Sequence, residues 1–234
     1  VFTLAPFSIP LPLDFSAYVQ VLDRINFGLY ALNTLKIATL VTLGQLFTSS
    51  LAGYAFAKIN FPGRNVIFLA FLATMMVPAA VTMIPNFIVM RNLQLVDTHA
   101  GLIVPFLGSA YGTFLMRQFY LGFPDELKEA AELDGCNPLM FYLWILLPNS
   151  KAILTTFGLL TFQWAWNDFL WPLVMINTES KRTLQVGLQC GGVHMGEHLS
   201  CLDIVTFLGQ DILEDGVHVG EHEVRCILVV AAVA

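Results

Sequence analysis

The chain has 234 residues, of which 56% are hydrophobic and only 12% are charged, and its mean hydropathy is +0.70. Because a soluble domain carries about 25% charged residues, this composition argues against a soluble globular protein and favours a lipid environment. The net charge of −6 comes without a basic patch for nucleic acid, and the spacing of the four cysteines fits neither a metal finger nor a disulfide framework.

The first 28 residues precede the long apolar segments. They begin with Val1 rather than Met, and they lack the basic segment and short apolar stretch of a signal peptide. We expect the true N-terminus to be missing and residues 1–28 to be a lead-in segment.

Three runs without Asp, Glu, Lys or Arg follow, at 37–57, 65–90 and 98–116, with 21, 26 and 19 residues. A helix needs about 20 mostly apolar residues to cross a hydrocarbon core of about 30 Å. A fourth run, 152–176, is interrupted only by Asp168. The alternative is a set of buried helices in a large soluble protein, but so many runs joined by short loops favour four membrane spans.

Small residues recur within these runs. Ser49, Gly53 and Ala57 are spaced four residues apart, and Gly108 and Gly112 form a GxxxG pair. Small faces of this kind let helix backbones approach closely in a membrane.

Residues 125–134 are predicted to form a short helix outside the lipid, since six of the ten are charged. Asp125 and Glu126 suit the positive end of a helix dipole, and Gly135 stands where a helix end favours a left-handed residue. Leu127, Ala130 and Ala131 would share one slender face that fits a partner's groove. A solvated surface helix is the alternative. The apolar run 136–147 that follows is expected to lie along the membrane surface.

Seven residues in this region match the motif Glu-Ala-Ala-x3-Gly-x9-Ile-x-Leu-Pro at every fixed position: Glu129, Ala130, Ala131, Gly135, Ile145, Leu147 and Pro148. The motif resembles the cytoplasmic coupling loop of permease subunits in binding-protein-dependent ABC importers. The resemblance extends from about Ala17 to Leu188, with the turn Phe61-Pro62-Gly63-Arg64 and the stretch 166–173 typical of the carbohydrate-uptake branch.

This resemblance implies an all-α fold, a polytopic transmembrane helix bundle of the ABC importer permease type, with about four spans present of an expected six. It places the chain as a multi-pass protein in a bacterial or archaeal plasma membrane. Residues 1–28 would be extracytoplasmic, and 29–176 would be the permease core with a cytoplasmic coupling loop at 117–150. Up to residue 182, Lys and Arg are divided five to five between the two sides, so the positive-inside rule does not decide the orientation.

The resemblance also implies partners. They are an ATP-binding subunit that docks on the coupling loop, a second permease subunit, an extracytoplasmic solute-binding protein and the lipid bilayer; no nucleic acid is expected. The chain would be no enzyme and would need no cofactor or metal. ATP hydrolysis would belong to the partner subunit, since this chain contains no Gly-x4-Gly-Lys-Ser/Thr phosphate loop. The cargo would be a sugar or sugar-like solute. Within the spans, the polar residues Asn86, Gln163, Asn167 and Asp168 are candidate pathway residues. Alternatively, Asn167 and Asp168 cap a helix end.

The segment 177–234 is predicted to be a divergent polar tail rather than the family's final span. Residues 179–234 carry a net charge of −5, and no uncharged stretch reaches 18 residues. Two copies of His-x-x-Glu-His, at 194–198 and 218–222, resemble an inverted zinc-protease signature, but the glycines around them oppose a stable helix. A degenerate or frame-shifted tail is favoured over adventitious metal binding.

Two other function classes stay open on the sequence alone. An ion-gradient-driven secondary transporter would need no ATPase, and a membrane metalloprotease would bind zinc through the tail.

Overall fold

The computed structural model describes the backbone of residues 26–193 and the side chains of residues 26–189. Within that range every regular element is a helix, which confirms the all-α fold class. Cys190, Cys201, Cys226, both His-x-x-Glu-His copies and most of the predicted lead-in and tail lie outside the described side chains.

The first helix, α1, runs from Phe27 to Lys58 and has 32 residues. At 1.5 Å per residue it is about 48 Å long, well beyond the thickness of a hydrocarbon core. It therefore begins ten residues before the predicted span at 37–57. Lys36 did not end it, because that side chain lies on the exposed face of the helix.

The predicted second span is broken into two helices. Helix α2, Arg64–Ala73, continues as a 3₁₀ turn, Thr74–Met76, and α3 covers Ala79–Asn92. The two arms are bent by 103°. Val77 and Pro78 are extended at the break, which agrees with the restriction that a proline places on itself and on the residue before it. The run 65–90 is therefore not one continuous helix, although its two arms together are long and apolar enough to count as one broken span.

The third predicted span is bent by 42°. Helix α4, His99–Ile103, leads through a 3₁₀ turn, Val104–Phe106, to α5, Ala110–Leu121. The side chains of Thr98 and Ser109 accept N–H groups at the starts of α4 and α5. Ser109 thus begins a new helix within the run.

The second half of the described chain is built from shorter pieces. Their bounds are α6 at Asp125–Leu133, α7 at Pro138–Phe141, a π-helical turn at Tyr142–Leu146, α8 at Leu147–Asn149, α9 at Lys151–Asn167, α10 at Leu170–Met175, a 3₁₀ turn at Glu179–Lys181 and α11 at Leu184–Val193. The predicted fourth span at 152–176 ends early, at Asn167. The segment Pro138–Asn149 precedes α9, and the chain bends by 76° between the two.

By length and composition, the described residues contain one helix able to cross a membrane, α1, and up to four spans if each bent pair counts as one. The predicted number of about four spans corresponds to this upper count.

The core forms where α1 packs against α5 and α9. Gly53 of α1 and Gly112 of α5 make the approach possible: a Cβ on Gly53 would lie 2.5 Å from Cβ of Met116, and one on Gly112 would collide with Phe157 and Ser49. The predicted close approach along the Ser49 face is therefore confirmed. Gly108 contributes nothing to it, because it lies in the turn before α5 with open space beside it.

The described part of the predicted tail, residues 177–189, packs onto the N-terminal end of α1. The Asn33 amide donates to the carbonyls of Ser180 and Arg182, at 2.9 and 3.1 Å, and the Leu184 N–H donates to Thr34 Oγ1 at 2.8 Å. Leu184 and Val186 are buried. Residues 177–189 are thus an integral part of the helix bundle.

Candidate functional site

The charged helix α6 begins with an ion pair to the end of α1. Pro124 precedes the first helical residue, and Asp125 and Glu126 occupy the first turn. The Lys58 ammonium donates to Oδ1 of Asp125 at 2.6 Å and to the carbonyl of Phe123 at 2.7 Å. The pKa of Asp125 lies below its ordinary value, because Lys58 donates a hydrogen bond to the carboxylate and attracts its charge.

The Lys58 side chain is only 5% exposed, although it is charged. A buried ammonium group is costly unless hydrogen-bond acceptors surround it. A carboxylate and a carbonyl next to α6 supply them, and the Lys128 ammonium returns a hydrogen bond to the Lys58 carbonyl at 3.3 Å. Lys58 therefore fixes the position of α6 against α1.

The end of α6 is closed by a Schellman motif, in which the two residues after the cap donate back into the last turn. The Cys136 N–H donates to the Ala131 carbonyl at 2.9 Å, and the Gly135 N–H donates to the Glu132 carbonyl at 3.0 Å. Gly135 has φ +84°, the left-handed conformation that this motif requires. The predicted role of Gly135 at the helix end is confirmed.

Ala131 joins α6 to the bundle. It is 5% exposed and belongs to a buried cluster with Tyr54 and Ala57 of α1 and with Phe141. The Tyr54 hydroxyl donates to the Pro138 carbonyl at 2.9 Å, which closes the same cluster. The predicted face of Leu127, Ala130 and Ala131 is therefore divided: Ala131 packs inward, while the other two are exposed. Adjacent residues of an α-helix point about 100° apart, so Ala131 can face the bundle while Ala130 faces away from it.

The second half of the motif lies mostly in the same cluster. Ile145 and Leu147 pack against it, and Pro148 is exposed. Pro148 cannot donate to the carbonyl four residues earlier, and the chain forms a π-helical turn just before it, Tyr142–Leu146. The Tyr142 hydroxyl is thereby buried, 2.6 Å from Ser50 Oγ.

The run 136–147 has one buried and one exposed side. Phe141, Tyr142 and Leu146 are buried, whereas the Trp144 side chain is 77% exposed. Its placement along a membrane surface stays a prediction.

The outward side of α6 is formed by Glu129, Ala130 and Leu133. The Glu129 carboxylate makes no hydrogen bond or ion pair within the described part of the chain. Leu133 is 90% exposed, which is unusual for a leucine in a charged helix. Sequence reasoning did not select Leu133, because it occupies one of the three variable positions of the motif.

The four predicted pathway residues are not brought together. Asn86 is exposed on α3, and Gln163 and Asn167 are exposed on α9. Asn167 donates to the Gln163 carbonyl at 2.9 Å and accepts from the Gln185 amide at 3.3 Å. Asp168 follows α9 as its C-cap residue and interacts with the N–H groups of Phe169 and Trp171, which is the geometry of the capping alternative.

Asp168 also lines a small cavity between α1, α4 and α9. The volume is about 10 Å³, enough for about one water molecule. Thr183 lines it as well, and its buried hydroxyl has no hydrogen-bond partner among the described residues. The cavity is too small for a sugar.

A second ion-pair cluster lies near the N-terminal end of α1, away from α6. The sequence did not predict it. Asp97, with φ +56°, accepts hydrogen bonds from the N–H groups of Asn177 and Thr178, from Thr178 Oγ1 at 2.6 Å and from the Lys181 ammonium at 3.0 Å. Burial alone would raise the pKa of Asp97, but these hydrogen bonds lower it to about 2. About eighty residues of sequence separate the partners, so no local pattern indicates the pairing.

In the described part of the chain, no group of three or more His, Cys, Asp and Glu side chains is placed to hold a metal ion.

Comparison with known proteins first identifies a family. Residues 45–189 match the family model described as the binding-protein-dependent transport system inner membrane component. The sn-glycerol-3-phosphate transport system permease protein UgpE of Pectobacterium atrosepticum is 38% identical over 163 residues, or 70% of this chain and 58% of the relative. UgpE of Salmonella typhimurium is 39% identical over 171 residues, or 73% and 60%. The chain thus spans about three fifths of the length of these curated relatives.

A solved structure is similar as well. It is the crystal structure of a bacterial ABC transporter involved in the import of the acidic polysaccharide alginate, with a TM-score of 0.74 and 30% sequence identity. The similarity covers 91% of this chain and 72% of the matched chain.

Proposed function

The chain belongs to the family of inner membrane components of binding-protein-dependent transport systems, and on that premise we propose that it is the membrane-spanning permease subunit of an ATP-driven importer. The observation that carries the proposal is the attachment of α6. The helix is held by the Lys58–Asp125 ion pair at its start and by buried Ala131 near its end. A displacement of its outward side would therefore move α1.

The ATP-binding subunit would dock on that outward side. That side consists of the Glu129 carboxylate, the small Ala130 side chain and the projecting apolar side chain of Leu133. This combination suits an apolar pocket with a polar rim in the partner. When the partner closes on ATP, α6 would move as a rigid lever, and the spans would switch between inward-open and outward-open states.

The proposed cargo is a sugar or sugar-like solute delivered by an extracytoplasmic binding protein, with a second permease subunit completing the pathway. Support comes from the relatives, whose names give glycerol 3-phosphate and an acidic polysaccharide as their cargo. Asn86, Gln163, Asn167 and Asp168 remain the proposed pathway residues, and the solute passage would form between the two permease subunits rather than within this one.

The test is a charge reversal on the outward side, made in the complete subunit within the assembled transporter. Because the Glu129 side chain is exposed and free of described contacts, Glu129→Lys should leave folding and membrane insertion intact. We expect it to abolish solute uptake and the stimulation of ATPase activity by the loaded binding protein.

Asp134→Lys is the matched control. It makes the same change of charge at the end of the same helix and at a variable position of the motif, where a cation also suits the helix dipole. Uptake should survive in this variant. Wild-type uptake in Glu129→Lys, or equal loss in both variants, would contradict the assignment of Glu129 to the docking surface.

A further inference from the structure

An open pocket of about 290 Å³ lies where α1 turns into α2, at the same end of the bundle as α6. Its lining combines polar amides, a guanidinium group and apolar side chains. The lining residues are Asn60, Phe61, Gly63, Arg64, Asn65 and Val66.

Arg64 contributes the positive charge of the pocket. One terminal nitrogen, Nη1, donates to the Ile59 carbonyl at 3.3 Å and to Oδ1 of Asn60 at 3.1 Å. These partners are neutral, so the charge of the guanidinium group is not compensated, and within the described residues its second terminal nitrogen and Nε make no hydrogen bond.

Arg117 of α5 adds a second positive charge nearby. Its Nε donates to the Phe56 carbonyl at 3.1 Å, and its guanidinium carbon lies 4.2 Å from the centre of the Phe68 ring. The two arginines are close enough to repel each other electrostatically. Among the described residues no carboxylate lies within 4.0 Å of either guanidinium group, since the ion pairs there involve only other residues. Two uncompensated arginines at one site call for an anion.

The surroundings of the pocket identify the anion. Helix α2 carries exposed apolar side chains immediately beyond it, with Val66 73%, Ile67 52% and Leu69 68% exposed. In an inner membrane protein such a surface contacts acyl chains, and a basic residue at the end of the apolar helix lies at the level of the lipid phosphates. A free anion would contact only the charged pocket, whereas a phospholipid has an anionic phosphate for the pocket and acyl chains for the apolar surface.

We propose that the pocket at Arg64, with Arg117 behind it, binds the phosphate of an anionic phospholipid in the leaflet nearest α6. Arg64 and the amides of Asn60 and Asn65 would contact phosphate oxygens, Arg117 would supply long-range attraction, and the acyl chains would lie along α2. The proposal rests on the membrane placement of the family and not on the proposed transport activity.

The test measures lipid binding to the full chain in mild detergent by native mass spectrometry, titrating phosphatidylglycerol against phosphatidylcholine. The wild-type chain should prefer phosphatidylglycerol. Arg64→Gln should reduce that preference about fivefold, which is the contribution expected of one basic residue near anionic lipid. Arg91→Gln is the matched control for charge alone, because Arg91 is an exposed arginine at the end of α3 and does not line the pocket. It should reduce the preference less than Arg64→Gln does, and an equal reduction in the two variants would overturn the proposal.

A second variant keeps the test decisive if Arg64→Gln does not fold. Asn65→Asp places a carboxylate in the pocket at the first turn of α2, where an acidic residue favours the helix, so the fold should hold while the preference for anionic lipid is lost. A preference that survives in both pocket variants would overturn the proposal. Displacement of phosphatidylglycerol by an equal concentration of inorganic phosphate would also overturn it, because the site would then bind free phosphate.

Discussion

The ammonium nitrogen of Lys58 lies 2.6 Å from Oδ1 of Asp125, although 67 positions of sequence separate the two residues. Lys58 is the last residue of the longest described helix, and Asp125 is the first residue of the charged helix α6. The pair therefore joins the membrane core to the proposed docking surface.

We predict that Asp125→Asn weakens the coupling between ATP hydrolysis and uptake. The buried Lys58 ammonium loses its counter-ion, and α6 is then held less firmly against α1. Lys58→Met combined with Asp125→Asn should be less stable than wild type by less than the sum of the two single changes. A double-mutant cycle on the melting temperature in detergent measures this. Strict additivity would show that the pair does not stabilise the contact. Lys151→Met is the control, since Lys151 is exposed and takes part in no ion pair among the described residues, so its loss should change the melting temperature little.

Gly135→Val should uncouple the transporter while leaving the spans inserted. The residue has φ +84°, and a Cβ at this position would have no neighbour within 4 Å, so the penalty is in the backbone alone. A left-handed conformation costs an ordinary residue about 1–2 kcal/mol, and a β-branched one more. The last turn of α6 should therefore unwind. Uptake and ATPase stimulation are the measurements. Gly122→Ala, at φ −77°, is the control and should behave as wild type; full uptake by Gly135→Val would refute the role of this helix end.

The Asp97 cluster predicts a pH dependence of stability. The pKa of Asp97 is about 2 in the folded chain, against an ordinary value of 3.8. A carboxyl group with a lowered pKa stabilises the fold above its ordinary pKa, and the stabilisation is lost as the pH falls towards the folded value. Melting temperatures should thus fall between about pH 4 and pH 2 in the wild type, and less so in Asp97→Asn, which removes the titrating group. An identical acid profile for both chains would contradict the assignment.

The two glycines of the GxxxG pair should respond in opposite ways to alanine. Gly112→Ala places a methyl group against the buried Phe157 ring and Ser49 Oγ, and overpacking of this kind costs about 1–3 kcal/mol. Gly108→Ala meets open space and should be tolerated. Thermal unfolding in detergent compares the two variants. Equal melting temperatures would mean that α1 and α5 can separate without loss.

Cysteine labelling can test the sidedness of the chain. In a cysteine-free background, Leu133→Cys places a thiol at a position of α6 that is 90% exposed, and Ser180→Cys places one at an exposed position at the other end of the bundle. A membrane-impermeant thiol reagent on intact cells should label the cysteine at 180 and reach the one at 133 only after the membrane is opened. In the chain that keeps its native cysteines, Cys136 should likewise be labelled only after the membrane is opened. Labelling of position 133 from outside would remove its contact with a cytoplasmic ATPase.

Local sequence was sufficient for the elements whose cause is local. The charged helix at 125–134 was predicted within one residue of its observed end, because six charges exclude it from lipid and Gly135 ends it through a backbone conformation that few other residues adopt. The spans were predicted less well. Hydropathy gives the number of apolar residues in a run but not the course of the helix axis through it. The break before Pro78 and the early end of α9 at Asn167 were therefore missed.

Only the tertiary structure decided what each motif residue does. Ala130 and Ala131 are identical and adjacent, yet one is exposed and the other is buried against Tyr54. The sequence determined that a membrane helix bundle would carry a short charged helix, because composition and charge act along the chain. It could not determine that Lys58 meets Asp125 or that Asp97 meets Lys181, because each contact depends on how distant helices pack, and that packing is set by the summed fit of side chains from several segments.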